Sequence, residues 1–481
     1  MFSTGRAETP RREREVDKME KSQAKQTSAW RILLFARNGA ELLLLRSPSG
    51  IRLPELHIPG WQRIVPNLNA EAKRLWNLDT VCLFPFDVPH SEGTAGNSKY
   101  YVMEVRKPGE LARVAPGFML LSALTEASFA ERRDYLAVQQ GMGVEGACFP
   151  RDCEGPFSAF GAFDEISAWV AHQLHRFGLC WNGTFRQLQA GSSFALAEFE
   201  TNRGAVWFKA VGEPNRREFP ATMALAARFP KHMPEVLAVR EDWNAWLAKE
   251  AKGEDLFSSP DSSSWCRAAA SLGELQIASV EHASQLLASG TRDARCSRLL
   301  DIVVPFFSTI ESLMEAQIKL TPRRLAAEEI KTIERRVTSA LLELERAAVP
   351  DALNHFDLNP GNAMIADGNC RFLDWAEAAI GNPFFSMEYL ERHFLRAFPG
   401  QEQARIEFRK SYLDLWRSLL PEATLERVLE LIPLIAAYAF AATVLPWDDP
   451  HLDENPALAG FLRGLARRMH RECQRLTLRA A

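Results

Sequence analysis

The chain has 481 residues, with 57 basic against 61 acidic side chains for a net charge of −4, and is 47% hydrophobic and 25% charged. That length exceeds what one compact core holds and suits two or three domains, while the composition is that of ordinary soluble globular proteins. The near-neutral balance gives no electrostatic reason to expect a nucleic-acid or membrane partner. Eight cysteines (Cys82, Cys148, Cys153, Cys180, Cys266, Cys296, Cys370, Cys473) form no C-x-x-C pair and read as buried free thiols of a reducing compartment. The N-terminus lacks an apolar signal region. The longest apolar run, Leu431 to Leu445, is interrupted by Pro433 and falls short of the roughly 20 residues a membrane span needs. A buried core helix and a cytoplasmic protein are expected.

Residues 1–28 are charged and aperiodic, which predicts a disordered tail. Order should begin with the strand WRILLFA from Trp30, turn at Asn38-Gly39, and return through ELLLLRS as a hairpin. Further strands are expected at VCLFPF from Val81 and YYVMEV from Tyr100, with helical spacing in AEAKRLWNL after Asn69. Together with the Pro59-Gly60 turn, residues 29–140 weakly resemble a Nudix domain, a separate α/β unit. Nudix hydrolases hold Mg²⁺ against a pyrophosphate through the carboxylates of an R-E-x-x-E-E helix. Here Glu71 stands alone, so the resemblance is to a domain without its catalytic box and implies a structural or ligand-sensing role.

Gly141, Gly143, Gly146, Pro150, Gly155 and Pro156 mark a linker over 141–160. Beyond it, Asp164 is the expected N-cap of EISAWVAHQLHRF, whose Ile166, Trp169, Val170 and Leu174 share one face, and Gly178 is its stop. FRQLQA from Phe185, FALAEFE from Phe194 and AVWFKAV from Ala205, joined by Gly191-Ser192-Ser193 and Thr201–Gly204, predict a small antiparallel sheet. From about Asp255 the pattern is helical, as in Leu325 to Arg346 with Ile330, Ile333, Val337, Leu341 and Leu344 on one stripe. The fold class is therefore α+β: a sheet lobe over 161–250 and a helical lobe over 251–475, with a cleft between them.

The chemistry concentrates in NHFDLNPGNAMIADGNCRFLDWAEAAIGNP, from Asn354 to Pro383. Phosphoryl transfer from ATP needs a carboxylate to orient the attacking hydroxyl and oxygen ligands to hold Mg²⁺ on the phosphates. Asp357 and Asn362 share a loop kept from helix by Pro360-Gly361, and a hairpin turning at Asp367-Gly368 would return Asp374 to Asn362. With ten histidines in the chain, H-x-D-x-x-x-x-N arises by chance roughly one time in forty. The further Asp after a short hairpin lowers that considerably. The competing structural reading is that these residues only cap turns.

This stretch resembles the catalytic and metal loops of the aminoglycoside phosphotransferase and choline kinase-like family, H-G-D-x-x-x-x-N followed by I-D-W, which is similar to the corresponding elements of protein kinases. The resemblance implies a two-lobed, protein-kinase-like fold, ATP and Mg²⁺ as cofactors, and a small hydroxylated molecule as acceptor. It implies Asp357 as catalytic base, Asn362 and Asp374 as metal ligands, and His355 as a packing and hydrogen-bonding residue. In the sheet lobe it implies Lys209 on the phosphates with Glu218 as its partner, Gly191, Ser192 and Ser193 as the nucleotide loop, and Lys249, Glu250 and Ala251 as the hinge meeting the adenine. The chain departs from the family at Phe356, Asn359 and Ser386, where Gly, His and Asp are usual.

The resemblance spans about residues 160–475 and leaves the acceptor open. Recognition would fall to the helical insert at about 255–350, whose Asp261, Glu274 and Glu281 either attract a cation or face water. A kinase-fold nucleotide sensor without catalysis is the alternative. His172 and His175 lack partners for a zinc site and read as bland helix residues.

Overall fold

The computed structural model describes residues 27–36, 39, 41–60, 62–89, 97–106, 118–120, 124–142, 159–366 and 368–480. The predicted tail up to residue 26 and most of the predicted linker lie outside the described residues. Two compact units emerge, one of residues up to Arg216 together with Val236–Glu250, the other of Arg217–Glu235 together with everything from Ala251. Residues 217–235, assigned to the sheet lobe from sequence, cluster with the helical unit.

In the first unit, β1 (Thr27–Ala36) turns into β2 (Glu41–Leu43) with Phe35 opposite Leu42. ELLLLRS is not one strand: it breaks at Leu44, and β3 (Leu45–Ser47) pairs instead with β4 (Gly50–Arg52). β5 (Glu55–Pro59) runs antiparallel to the start of β1, and β6 (Thr80–Pro89) and β7 (Asn97–Val105) form a hairpin whose β7 lies parallel to β1. With β8 (Phe118–Leu120) the order is β6-β7-β1-β2-β8. Helix α1 (Ile64–Trp76) starts well before the helical spacing expected after Asn69. Pro66 sits in the first turn, where its missing N–H has no intrahelical partner to lose.

The second sheet is wholly antiparallel, in the order β12 (Val236–Arg240), β13 (Ala245–Lys249), β11 (Gly204–Val211), β10 (Phe194–Thr201), β9 (Trp181–Gln189). Along β11 the period-2 alternation buries Val206, Phe208 and Ala210 and leaves Trp207 and Lys209 on the other face. Two helices complete the unit, α2 (Arg132–Met142) and α3 (Ala162–Arg176). Gly161, not Asp164, is the N-cap of α3; Asp164 lies in the first turn, where a carboxylate complements the helix dipole.

The expected separation of 29–140 from the second sheet is not found. One apolar cluster runs from Leu33, Phe35 and Val102 to Phe163, Val170, Phe199 and Phe208, so both sheets and α3 bury their faces together. Gln187 of β9 stitches the seam: its Oε1 accepts from the Cys82 amide at 2.8 Å and its Nε2 donates to the Cys82 carbonyl at 2.9 Å, as a neighbouring strand would. Gly141 is no linker residue either. It lies in α2, and a Cβ there would stand 2.4 Å from Leu33 Cδ2.

The second unit is built on α4 (Glu218–Arg228), α5 (Ser262–Ser279), α6 (Ala283–Ala288), α7 (Cys296–Asp301), α8 (Val303–Glu315), α9 (Ala327–Arg346), α10 (Phe384–Ala397), α11 (Glu402–Trp416), α12 (Glu422–Val444) and α13 (Pro456–Ala480). The α9 stripe is buried at all five predicted positions. Pro433 lies inside α12 without ending it. Among the described residues α12 is the one helix long and apolar enough to cross a membrane, and its Leu431, Ile432, Leu434 and Ile435 belong to the core. Two small sheets carry the loops that matter below: β14 (Glu254–Asp255) with β17 (Ala363–Ala366) and β18 (Asn369–Phe372), and β15 (Arg292–Ala294) with β19 (Ala378–Gly381) and β16 (Ala352–His355). All six described cysteines are free, but only Cys82, Cys370 and Cys473 are buried; Cys180 is exposed.

Candidate active site

β16 delivers the fully buried Asn354 and His355 to the base of a loop. His355 Nε2 donates to the Leu373 carbonyl at 2.7 Å, and its ring packs on Trp375 with centroids 4.5 Å apart. Its backbone N–H donates to Ser386 Oγ at 2.8 Å, and that hydroxyl donates to Asn354 Oδ1 at 2.9 Å. Phe356 packs into the core against Phe385. These contacts pin the loop from both ends of its first turn.

At Asp357 the loop turns outward. Its carbonyl accepts from Asn362 Nδ2 at 2.9 Å and from the Asn359 amide at 2.8 Å. Its carboxylate receives two donors: the Tyr389 hydroxyl on Oδ1 and the Asn359 side-chain amide on Oδ2, each at 3.3 Å. Asn359 also caps the short turn Pro360–Asn362 by accepting from Gly361 N at 3.0 Å. Because Nδ2 of Asn362 is committed, the amide is held with Oδ1 turned away, and among the described residues that oxygen accepts no hydrogen bond.

The hairpin pairs Ala363 with Phe372 and turns through Gly368 at φ +77°. It ends with Leu373 N donating to the Asn362 carbonyl at 2.9 Å, so Asp374 follows directly on the residue bonded to Asn362. Asp374 itself sits at φ 61°, ψ 69°, a left-handed conformation strained for a residue with a Cβ. Glu377 lies in the same electrostatic neighbourhood. Burial pushes its carboxyl up, Arg292 opposes that from 3.5 Å, and Asp357 and Asp374 add to the rise. Two carboxylates acting on a third make a focus of negative charge that favours a cation. Among the described residues no three His, Cys, Asp or Glu side chains are arranged to hold a metal alone. A carboxylate such as that of Asp374 and an amide oxygen such as that of Asn362 are the donor types from which Mg²⁺ takes one or two protein ligands, with the rest from phosphates.

The remaining sequence candidates sit on other elements. Gly191, Ser192 and Ser193 join β9 to β10, with the Ser193 carbonyl accepting from Gly212 N at 3.0 Å. Lys209 on β11 pairs with Leu196 and Trp246 on the flanking strands, and its ammonium lies 5.7 Å from the Phe194 ring and 5.8 Å from that of Trp246. Lys249 ends β13, and Glu250 and Ala251 stand on either side of the unit boundary. Glu218, 2% exposed, is the first residue of α4 in the second unit. His172 and His175 are exposed on α3. Asp261 caps α5 through Ser263 N, Glu274 pairs with Lys231 at 2.6 Å, and Glu281 is exposed. A cavity of about 20 Å³ beside Cys82, Phe163 and Gln187 in the first unit has room for one water.

Tyr389 was not legible as a site residue from local spacing, and neither was the bonding of Asn359 and Ser386, which stood out only as departures. A signal was present: Tyr389, Arg392, His393 and Arg396 repeat at helical spacing.

Residues 184–421 match the profile of the phosphotransferase enzyme family. No curated protein matches the chain. Similar solved structures include choline kinase from Cryptosporidium parvum Iowa II, 14% identical over 65% of this chain and 96% of that one with a TM-score of 0.46. A choline/ethanolamine kinase family protein from Mesorhizobium loti is 18% identical over 65% and 94% with a TM-score of 0.41. Macrolide 2′-phosphotransferase from Brachybacterium faecium is 14% identical over 63% and 98% with a TM-score of 0.42.

Proposed function

We propose that this chain, whose residues 184–421 match the phosphotransferase enzyme family, is a small-molecule kinase that transfers the γ-phosphate of ATP to a hydroxyl of a small polar molecule in a Mg²⁺-dependent reaction. The observation that carries this reading is the Asp357 carboxylate, oriented by one donor on each oxygen and set on the loop whose Asn362 carbonyl accepts from the N–H of Leu373, the residue before Asp374. Asp357 orients the acceptor hydroxyl and takes its proton. The oxygen–phosphorus bond to the acceptor forms as the bond to the β-phosphate oxygen breaks, and that electron pair leaves with ADP. Asn362 and Asp374 would hold Mg²⁺, whose charge offsets that of the phosphates. The reading assigns Lys209 to the phosphates with Glu218 as counter-carboxylate, Gly191, Ser192 and Ser193 to the nucleotide loop, and Lys249, Glu250 and Ala251 to the adenine. It takes the protein as cytoplasmic, with the N-terminal sheet in a structural role rather than as a Nudix hydrolase.

Asp357→Asn keeps the size and both neighbours of the base while removing its charge. Turnover should fall about 10²- to 10⁴-fold with nucleotide binding retained. Unchanged turnover would sink the role, and a wild-type protein that binds ATP yet phosphorylates nothing in a broad screen of hydroxylated compounds would favour the nucleotide-sensor alternative.

A further inference from the structure

Tyr389, Arg392, His393 and Arg396 occupy i, i+3, i+4 and i+7 on α10, one face of the helix. That face begins at the hydroxyl bonded to Asp357, and the Tyr389 and His393 rings lie 5.0 Å apart along it. The carboxylates nearby are spoken for. Glu388 bonds Arg468 at 3.0 Å, Glu391 bonds Arg405 at 2.8 Å and Arg409 at 2.6 Å, and Glu472 bonds Arg475 at 2.8 Å. Arg392 and Arg396 make no hydrogen bond or ion pair with any described residue.

Arg392 is partly buried, and loss of hydration pulls its pKa below the ordinary value, with Glu388 opposing and Arg396 assisting. Glu388 and Glu472 act on Arg392 only through space, and a guanidinium that has lost water without gaining a hydrogen-bonded carboxylate is stabilised by an arriving anion. His393 is also pulled down, first by burial and then by Arg396 and Arg392, so at neutral pH it is an uncharged hydrogen-bonding group. None of these residues offers a cationic acceptor a counter-charge, and the acidic residues of the helical insert are either engaged or simply exposed.

We propose that this face of α10 holds the acceptor, and that the acceptor is an anionic hydroxylated small molecule whose carboxylate or phosphate sits on Arg392 and Arg396 while its hydroxyl reaches Asp357. This rests on the phosphotransferase reading and adds the substrate class to it. At the α-helical rise, the two arginines stand about 5 Å and 10 Å along the axis from Tyr389. The anionic group therefore lies several bonds from the reacting hydroxyl, as in a sugar acid or a sugar phosphate.

The test is titration calorimetry on the full chain with Mg²⁺ and a non-hydrolysable ATP analogue. Gluconate and glycerate serve as carboxylate probes, glucose 6-phosphate and glycerol 3-phosphate as phosphate probes, glucose as the neutral and choline as the cationic control. An anionic probe should bind more tightly than glucose and choline, R392Q/R396Q should weaken it by about tenfold or more, and R392K/R396K should restore part of the loss. R396Q alone, at an exposed position that does not threaten folding, should move binding in the same direction. The proposal is overturned if no anionic probe binds, if glucose or choline binds as well, or if the glutamine variants bind the anion unchanged. Replacing the analogue with ATP separates the two claims: an anion held through the arginines but never phosphorylated overturns the phosphotransferase reading and leaves the anion site standing.

Discussion

Ser386 is fully buried in the first turn of α10 and joins that helix to the strand leading into the Asp357 loop. Its Oγ accepts the His355 N–H at 2.8 Å and donates to Asn354 Oδ1 at 2.9 Å, while its own N–H donates to the same Asn354 oxygen at 3.1 Å. Ser386→Ala removes the hydroxyl and leaves the His355 N–H without its acceptor. Because Asn354, His355 and Ser386 are all at 0% exposure, water does not replace it. One net hydrogen bond is worth about 1 kcal/mol and a stranded buried N–H about 1–3 kcal/mol, and the two overlap, so the expected loss is about 2–3 kcal/mol. The consequence for chemistry is larger than for stability. His355 precedes Asp357, the proposed base, by two residues, and a displacement of the order of 1 Å in a reacting group can lower turnover about 10²-fold. The measurement is urea denaturation followed by tryptophan fluorescence, for which Trp375 against the His355 ring is a local reporter, combined with steady-state kinetics. Ser386→Cys, similar in shape but a weaker acceptor, should fall between wild type and alanine. A Ser386→Ala protein within about 0.5 kcal/mol of wild type, the range of an ordinary surface change, would refute the reasoning.

Two further perturbations probe the helical unit. Glu329 accepts from Ala326 N at 2.8 Å and from Arg323 at 2.6 Å and 2.8 Å at the start of α9, contacts that hold its carboxyl down to about 2, with the Arg323 hydrogen bond the largest cause. Since the folded pKa lies below the unfolded one, its contribution is complete above pH 4–5 and disappears as pH falls toward 2. Glu329→Gln should therefore cost about 1 kcal/mol at pH 7, a figure kept small because the site is largely solvated, and nothing near pH 2; a pH-independent difference would contradict this. Gly253 precedes β14 at φ +115°, and a Cβ there would stand 2.1 Å from the Ile365 carbonyl oxygen. Backbone cannot yield as a side-chain tip can, so Gly253→Ala should lose about 2 kcal/mol or more and loosen β14 from β17, with thermal unfolding unchanged from wild type as the contrary result.

What could be read along the chain was whatever the chain keeps local. His355, Asp357, Asn362 and Asp374 span one loop and one hairpin, so their spacing already contains their proximity, and the register Ala363 to Phe372 supplies the closure. The two sheets of the first unit present the opposite case. Each has the alternation of a half-buried sheet, and nothing in that alternation says that the other sheet is what buries it; Gln187, an unremarkable polar strand residue by pattern, takes the place of a strand edge for Cys82. Asp164 misled because residue preference near a helix start does not distinguish the cap from the first turn. Ser386 is the most instructive. Set against the family pattern it is a missing aspartate, yet the hydrogen bonds in which it stands are complete, because Asn354 supplies the acceptor for its N–H and O–H and the serine oxygen serves His355. A carboxylate at 386 would face the Asn354 oxygen with no proton between them, so Ser386→Asp on its own should be worse than wild type despite restoring the family residue, and the loop departure is better understood as one half of a pair than as a defect.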